Sequence, residues 1–266
     1  MNKSNFFEKF HIELWKCKVW IQEVFLYFKY WNYIRDNKKL INVGHGRRCF
    51  IIGNGPSLTL EDLNTLHKYG EVTFSSNKIY KLFEQTYWRP TYYAVCDMNL
   101  YRNYKNEIEN IDVESFFPSD LFDKYIVEKK ENIHIFSRVP FQFLNNKPRF
   151  NPSLLGMFSE GGTITYHLLQ LAVAMGFTEI YLLGIDFSFS WGIGPDGKYF
   201  KDSSVQNHFS ADKTSNDTMP NLYYNLRAYD AAKYYTERHQ IKIYNATRGG
   251  KLEVFERVNF DKLFNN

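Results

Sequence analysis

The segment Arg48-Cys49-Phe50-Ile51-Ile52-Gly53-Asn54-Gly55-Pro56-Ser57 constrains this chain more than any other. An apolar run that follows a basic pair and stops at glycine has the make-up of a strand buried on both faces of a parallel sheet. Just downstream, Thr59-Leu60-Glu61-Asp62 sets a hydroxyl three residues before a carboxylate, the pattern of a helix capping box. Strand, glycine turn and helix in direct succession open an open α/β fold. That geometry aims backbone N–H groups and the positive end of a helix dipole at one crevice, which favours a phosphate. Gly53, Asn54, Gly55, Pro56 and Ser57 are therefore the first candidate nucleotide-binding residues.

The same punctuation recurs along the chain. Strands are predicted over Glu71–Phe74, ending in Ser75-Ser76-Asn77, and over Tyr92–Cys96, ending in Asp97. Another is predicted over Asn132–Phe136, although the sequence does not order the rest of 103–151. Glu160-Gly161-Gly162-Thr163-Ile164-Thr165 leads into an apolar helix over Tyr166–Met175, stopped by Gly176, and then a strand over Ile180–Ile185 with Asp186 at its tip. A helix over Leu222–His239 and a strand over Ile241–Tyr244 precede the basic glycine turn Asn245-Ala246-Thr247-Arg248-Gly249-Gly250-Lys251. In open α/β sheets ligands lie outside the carboxyl ends of the strands. Asn77, Asp97, Gly161, Gly162, Thr163, Asp186 and Ser188 join the nucleotide-binding candidates on that ground, and Arg248 and Lys251 are candidates for phosphate or acceptor contact. For Asn77 and Asp97 the plain alternative is a turn or helix-cap role.

The fold expected is a Rossmann-like α/β domain: an open, mostly parallel sheet with helices on both faces, over 46–266. Within it, 187–221 reads as a lid-like insertion holding Trp191, Gly192, Gly194, Pro195, Gly197, His208 and Asp212. Ahead of the domain, 1–45 reads as a basic amphipathic helix. Phe7, Phe10, Leu14, Cys17, Ile21, Val24, Phe28 and Trp31 recur at alternating spacings of three and four, along one stripe. This helix is expected to pack on the main domain or on a second subunit. The alternative is a peripheral membrane contact through 1–40, where basic residues beside aromatic ones suit anionic head groups.

Composition removes several classes. The net charge of +4 does not point to nucleic acid as a partner. Cys17, Cys49 and Cys96 are far apart and read as reduced thiols of a cytoplasmic protein. No apolar run has the length of a membrane span or the form of a signal peptide. No Asp-x-Asp occurs, so the metal motif of many sugar transferases is missing.

Two stretches carry a family resemblance: Ile51-Ile52-Gly53-Asn54-Gly55-Pro56-Ser57, and Ala174-Met175-Gly176-Phe177-Thr178-Glu179-Ile180-Tyr181-Leu182-Leu183-Gly184-Ile185-Asp186-Phe187. With Ser76-Asn77 before Lys78-Ile79-Tyr80, they resemble the bacterial sialyltransferases typified by the Campylobacter enzymes. They also resemble the wider group related to archaeal 6-hydroxymethylpterin diphosphokinase. The resemblance runs from about Arg48 to Tyr244. For the sialyltransferases it implies a CMP-type donor held by Asn54, Gly55, Ser57 and Asn77, with no metal. It places Asp97 where those enzymes have a second Asn, Ser188 where they have a Tyr, and Tyr199 as the candidate for a second phosphate-binding Tyr. Their catalytic His falls near Tyr223, so His208 takes the role of base by region.

Two enzymatic readings follow. The first is metal-independent, inverting transfer of a sugar, such as sialic acid or another nonulosonic acid, from a nucleotide-activated donor to a cell-surface glycan or glycolipid. It would take place in the cytoplasm or at the inner face of the membrane, in a homo-oligomer, with no cofactor. In the second, diphosphate passes from ATP to a small alcohol such as a pterin, and Asp97 and Asp186 hold Mg²⁺. A third reading is a nucleotide-binding module without catalysis.

Overall fold

A computed structural model describes residues 3–125, 127–139, 148–193, 198–202 and 221–265. Its centre is a sheet of nine parallel strands: β1 (Arg48–Ile52), β2 (Val72–Ser76), β3 (Tyr92–Ala94), β4 (Glu114–Pro118), β5 (Ile133–Val139), β6 (Met157–Ser159), β7 (Glu179–Leu183), β10 (Lys242–Asn245) and β11 (Glu256–Arg257). A separate antiparallel pair, β8 (Trp191–Ile193) and β9 (Tyr199–Lys201), follows β7. The order across the large sheet is β11-β10-β7-β1-β2-β3-β4-β5-β6. β1 is thus central, with Ile52 in register with Leu183 on one side and Ser75 on the other.

Helices cover both faces, and alternate residues of each strand serve opposite cores. Cys49, Ile51, Ile180 and Leu182 pack beneath α7 (Ile164–Ala174) and α8 (Leu222–Arg238). Phe50, Ile52, Tyr181 and Leu183 face the side covered by α3 (Leu60–Lys68), α4 (Met98–Asn103), α5 (Lys105–Glu109) and α6 (Ser119–Tyr125). Strands buried on both faces explain why the sequence shows unbroken apolar runs there. The Rossmann-like α/β architecture read from the sequence is the one found. α3 begins on the predicted capping box: Thr59 Oγ1 accepts from Asp62 N at 3.1 Å, and Asp62 Oδ2 accepts from Thr59 N at 3.3 Å.

The N-terminal segment forms α1 (Lys3–Lys29) and α2 (Trp31–Asp36). One side of α1 docks beside α6: Tyr27 OH donates to Leu155 O at 2.8 Å, Lys29 pairs with Asp123, and Tyr30 OH donates to Asp123 Oδ1 at 2.7 Å. Past α1 the chain is part of the body, since Ile34 and Leu40 are built into the two cores and Asn37 Nδ2 donates to Ile135 O at 2.8 Å. Most of the predicted apolar stripe does not make this contact: Leu14, Ile21 and Phe28 are 50%, 66% and 69% exposed, whereas Trp31 at its end packs against the core. Among the described residues, no helix is long and apolar enough to cross a membrane.

Candidate functional site

Later strands step away from β1 in one direction through β2 to β6 and in the other through β7, β10 and β11. The order therefore reverses between β1 and β7, and such switch points are where open α/β sheets bind ligands. An open cleft lies there. Gly53, Asn54 and Gly55 after β1, Ser76 and Asn77 at the end of β2, and Gly184 to Phe189 after β7 form its floor and two banks. The far wall is Thr163, Ile164 and Thr165 at the start of α7, with Asn225 and Tyr229 from α8.

The glycine turn reaches the cleft, but the amides of Gly53 and Gly55 are not free for a phosphate as the sequence suggested. Gly53 N donates to Leu183 O at 2.8 Å, and Gly55 N donates to Gly184 O at 2.9 Å, which prolongs the β1–β7 ladder beyond the strands. Ser57 turns to the protein's own carboxylate: its Oγ donates to Asp186 Oδ2 at 2.8 Å and its N lies 3.4 Å from the same atom. Glycine is required at 55 by close approach, because a Cβ there would lie 1.7 Å from Asp186 Oδ2. Burial pushes the Asp186 carboxyl above its ordinary value, and the Ser57 hydrogen bonds oppose that shift.

Polar capacity in the cleft resides elsewhere. Asn54 Nδ2 donates to Ser76 O at 3.0 Å, while Asn54 Oδ1 and Asn77 Oδ1 are buried without a hydrogen bond to any described residue. Buried acceptors in that condition cost about 1–3 kcal/mol each, so they are suited to meeting a donor on a ligand. Asn77 also adopts φ 56° and Phe187 φ 50°, left-handed conformations that side chains rarely take and that concentrate at binding sites. Across the cleft, Thr163 caps α7 without a side-chain bond to the helix, and Thr165 and Tyr229 line the same wall. Gly161 and Gly162 do not line the cleft themselves but support this wall. The Asn225 amide, oriented by its partners, donates to Gly161 O at 3.1 Å, and a Cβ on Gly162 would meet it at 2.4 Å. The sequence reading missed Asn225 and Tyr229, although their spacing of four along α8, flanking Ala228, marks a polar strip on a helix otherwise packed on the core.

Apart from Ser188, the other described candidates fall outside the cleft wall. Asp97 is exposed and caps α4, its Oδ1 accepting from Asn99 N at 2.7 Å and Leu100 N at 3.0 Å. The cap reading holds for it, and Asp97 is not among the residues that line the cleft with Asp186. Among the described residues no group of three or more His, Cys, Asp or Glu is arranged to hold a metal ion. Arg248 is taken up by two carboxylates: Nη2 lies 2.8 Å from Asp62 Oδ1 and 2.6 Å from Asp261 Oδ1. It ties the C-terminal turn to the cap of α3 and does not face the cleft. Lys251 N donates to Asp186 O at 2.7 Å, with its side chain exposed, so it too holds the turn behind the site. Ser188 lines the cleft as expected. Tyr199 lies in β9, opposite Ile193, and His208 lies outside the described residues, as does most of the expected lid.

Along the carboxyl edge from the cleft, a charged cluster is enclosed. Arg138 at the end of β5 bonds Asp120 Oδ2 at 2.6 Å and Glu160 Oε1 at 2.7 Å, and His167 Nε2 is 3.7 Å from Glu160 Oε2. Burial alone would lower the Arg138 pKa, but Glu160 and Asp120 more than offset it and keep the guanidinium charged. Burial pushes Glu23 of α1 up to about 7, reinforced by Asp120 and Glu160 and opposed by Arg138. Glu160 immediately precedes Gly161, so this cluster anchors the strand end that leads into the wall of the cleft.

A family model described as 6-hydroxymethylpterin diphosphokinase MptE-like matches residues 27–192, more than half of the chain. The chain belongs to that family. In this MptE-like protein the matched stretch contains the glycine turn, Asn77, the start of α7 and Asp186, whereas Asn225 and Tyr229 lie beyond it. No curated protein matches. Among solved structures, the MAf glycosyltransferase of Magnetospirillum magneticum AMB-1 is similar, with a TM-score of 0.50 and 17% identity over 80% of this chain. The MptE-like chain covers 34% of that protein's length, and at this identity the likeness concerns the fold.

Proposed function

We propose that the cleft holds the nucleotide of an activated sugar and that the protein transfers the sugar to a hydroxyl of a cell-surface glycan. The observation that carries this reading is the chemistry of the wall. Its described lining offers amides, hydroxyls and backbone groups together with one carboxylate, Asp186. A CMP-linked sugar carries a single phosphodiester charge, whereas the ATP polyphosphate carries several, which a carboxylate repels unless cations intervene. The unpartnered oxygens of Asn54 and Asn77 suit donors on a base or ribose, and the first turn of α7 suits one phosphate. By resemblance, His208 takes the proton of the acceptor hydroxyl and Tyr199 contacts the leaving phosphate. The family match favours a second reading, diphosphate transfer from ATP to a small alcohol, and so both belong in one experiment.

Thermal shift with CMP, CDP, UDP, GDP and ATP, each with Mg²⁺ or EDTA, separates them. The expected result is stabilisation by a nucleotide in EDTA, about 2.7 kcal/mol at a hundredfold excess over Kd. It should be abolished in Asn77→Ala. Stabilisation by ATP that requires Mg²⁺, with no response to CMP, would replace sugar transfer with diphosphate transfer. A His208→Ala variant that keeps nucleotide binding and all turnover would remove His208 as the base.

A further inference from the structure

We propose that the exposed face of α1 is a dimerisation surface, pairing in parallel with α1 of a second copy of this chain. The inference is independent of the chemistry in the cleft. Leu14, Ile21 and Phe28 stand seven residues apart, with Cys17 and Val24 between them at alternating steps of three and four. In a helix this places them on one narrow stripe, away from Tyr30, which bonds Asp123, and with Tyr27, docked on Leu155, at its border. The same spacing reaches back in the sequence to Phe7 and Phe10. A stripe repeating every 3.5 residues is what a partner helix requires, since each side chain must enter a gap on the facing helix. A lipid surface imposes no such period.

The flanks of the stripe argue for the same occupant. Glu13 precedes the stripe residue Leu14, and Lys18 follows Cys17 on the opposite flank, five residues further on. Parallel two-stranded coils bring together these two positions, so Glu13 of each copy faces Lys18 of the other. Trp20 and Phe25 repeat the interval with apolar side chains, extending the contact beyond the central seam. A membrane surface would instead favour unengaged lysines along both borders. Of the described lysines on α1, Lys29 is held by Asp123, while Lys16 pairs with Glu13 at 2.8 Å within the helix, a bond that the partner's Lys18 must share or displace.

Cys17 provides a built-in probe. In a parallel, in-register pair it faces its own counterpart, near enough for a disulfide. It is exposed, whereas Cys49 is buried and Cys96 half-buried, and burial pushes both of their thiols up. Sedimentation of the full chain across micromolar concentrations should show a dimer, and Leu14→Glu/Ile21→Glu, with unchanged far-UV circular dichroism, a monomer. Diamide, which accepts the two thiol hydrogens, should give a covalent dimer that Cys17→Ser abolishes while the non-covalent dimer remains. Glu13→Lys and Lys18→Glu should each weaken the dimer several-fold, and the double exchange should restore it. A native chain that stays monomeric throughout overturns the proposal. So does a dimer untouched by the Leu14→Glu/Ile21→Glu pair, or a monomer that co-sediments with anionic vesicles through this face.

Discussion

At Gly55 the space for a side chain is already taken by Asp186, whose Oδ2 lies 1.7 Å from where a Cβ would be. Gly55→Ala must therefore displace either the turn or the carboxylate. We expect a Tm lowered by several degrees and loss of nucleotide-induced stabilisation, both read by thermal shift. Arg248 makes the opposite case. Removing it leaves buried Asp62 without its cation, while the cleft is untouched. Arg248→Ala should cost about 1–2 kcal/mol in denaturant unfolding, between the values for exposed and buried pairs, with nucleotide affinity unchanged. The sequence marked the glycine turn, Asn77, Thr163, Asp186 and Ser188 as site residues because glycines and polar tips at strand ends are local signals. It misassigned Arg248 because the partner that decides its role, Asp62, is 186 residues away. The committed amides of Gly53 and Gly55 were hidden for the same reason: their acceptors belong to β7.

Among the elements, the strands legible in the sequence were those with apolar runs, such as β1, β2 and β7. β4 includes Pro118, β6 has three residues and β11 has two, so none offered a pattern against its neighbours. For α1 the sequence expected packing on the main domain or on a second subunit; the docking on the main domain runs through Tyr27, Tyr30 and Glu23 and leaves most of the stripe exposed. Glu23 makes that docking pH-dependent. Its carboxyl is held near 7 in the folded protein against an ordinary value of 4.5, so the folded state binds more protons between these limits. Its stabilising contribution is present below about 4.5 and is lost as pH rises through about 7. Melting temperature measured from pH 5.5 to 8 should fall along this rise by more than in Glu23→Gln, and the variant should melt higher than the native chain at pH 8.

Over the whole molecule, the reversal of strand order between β1 and β7 makes the site, and alternating strand and helix signals were sufficient to anticipate the open parallel sheet that contains it. What those signals could not supply was adjacency. Part of the far wall, Asn225 and Tyr229, comes from α8, beyond the stretch that the family model matches. The two banks are also distant in the chain, with Ser57 and Asp186 separated by 129 residues. A ribosome that has just released the glycine turn has yet to make the carbonyls that Gly53 and Gly55 require. Until β7 emerges and inserts beside β1 the turn has nothing to lean on. Nucleotide cannot nurse the first half of the newborn protein into shape, and that half must reach β7 on its own apolar packing.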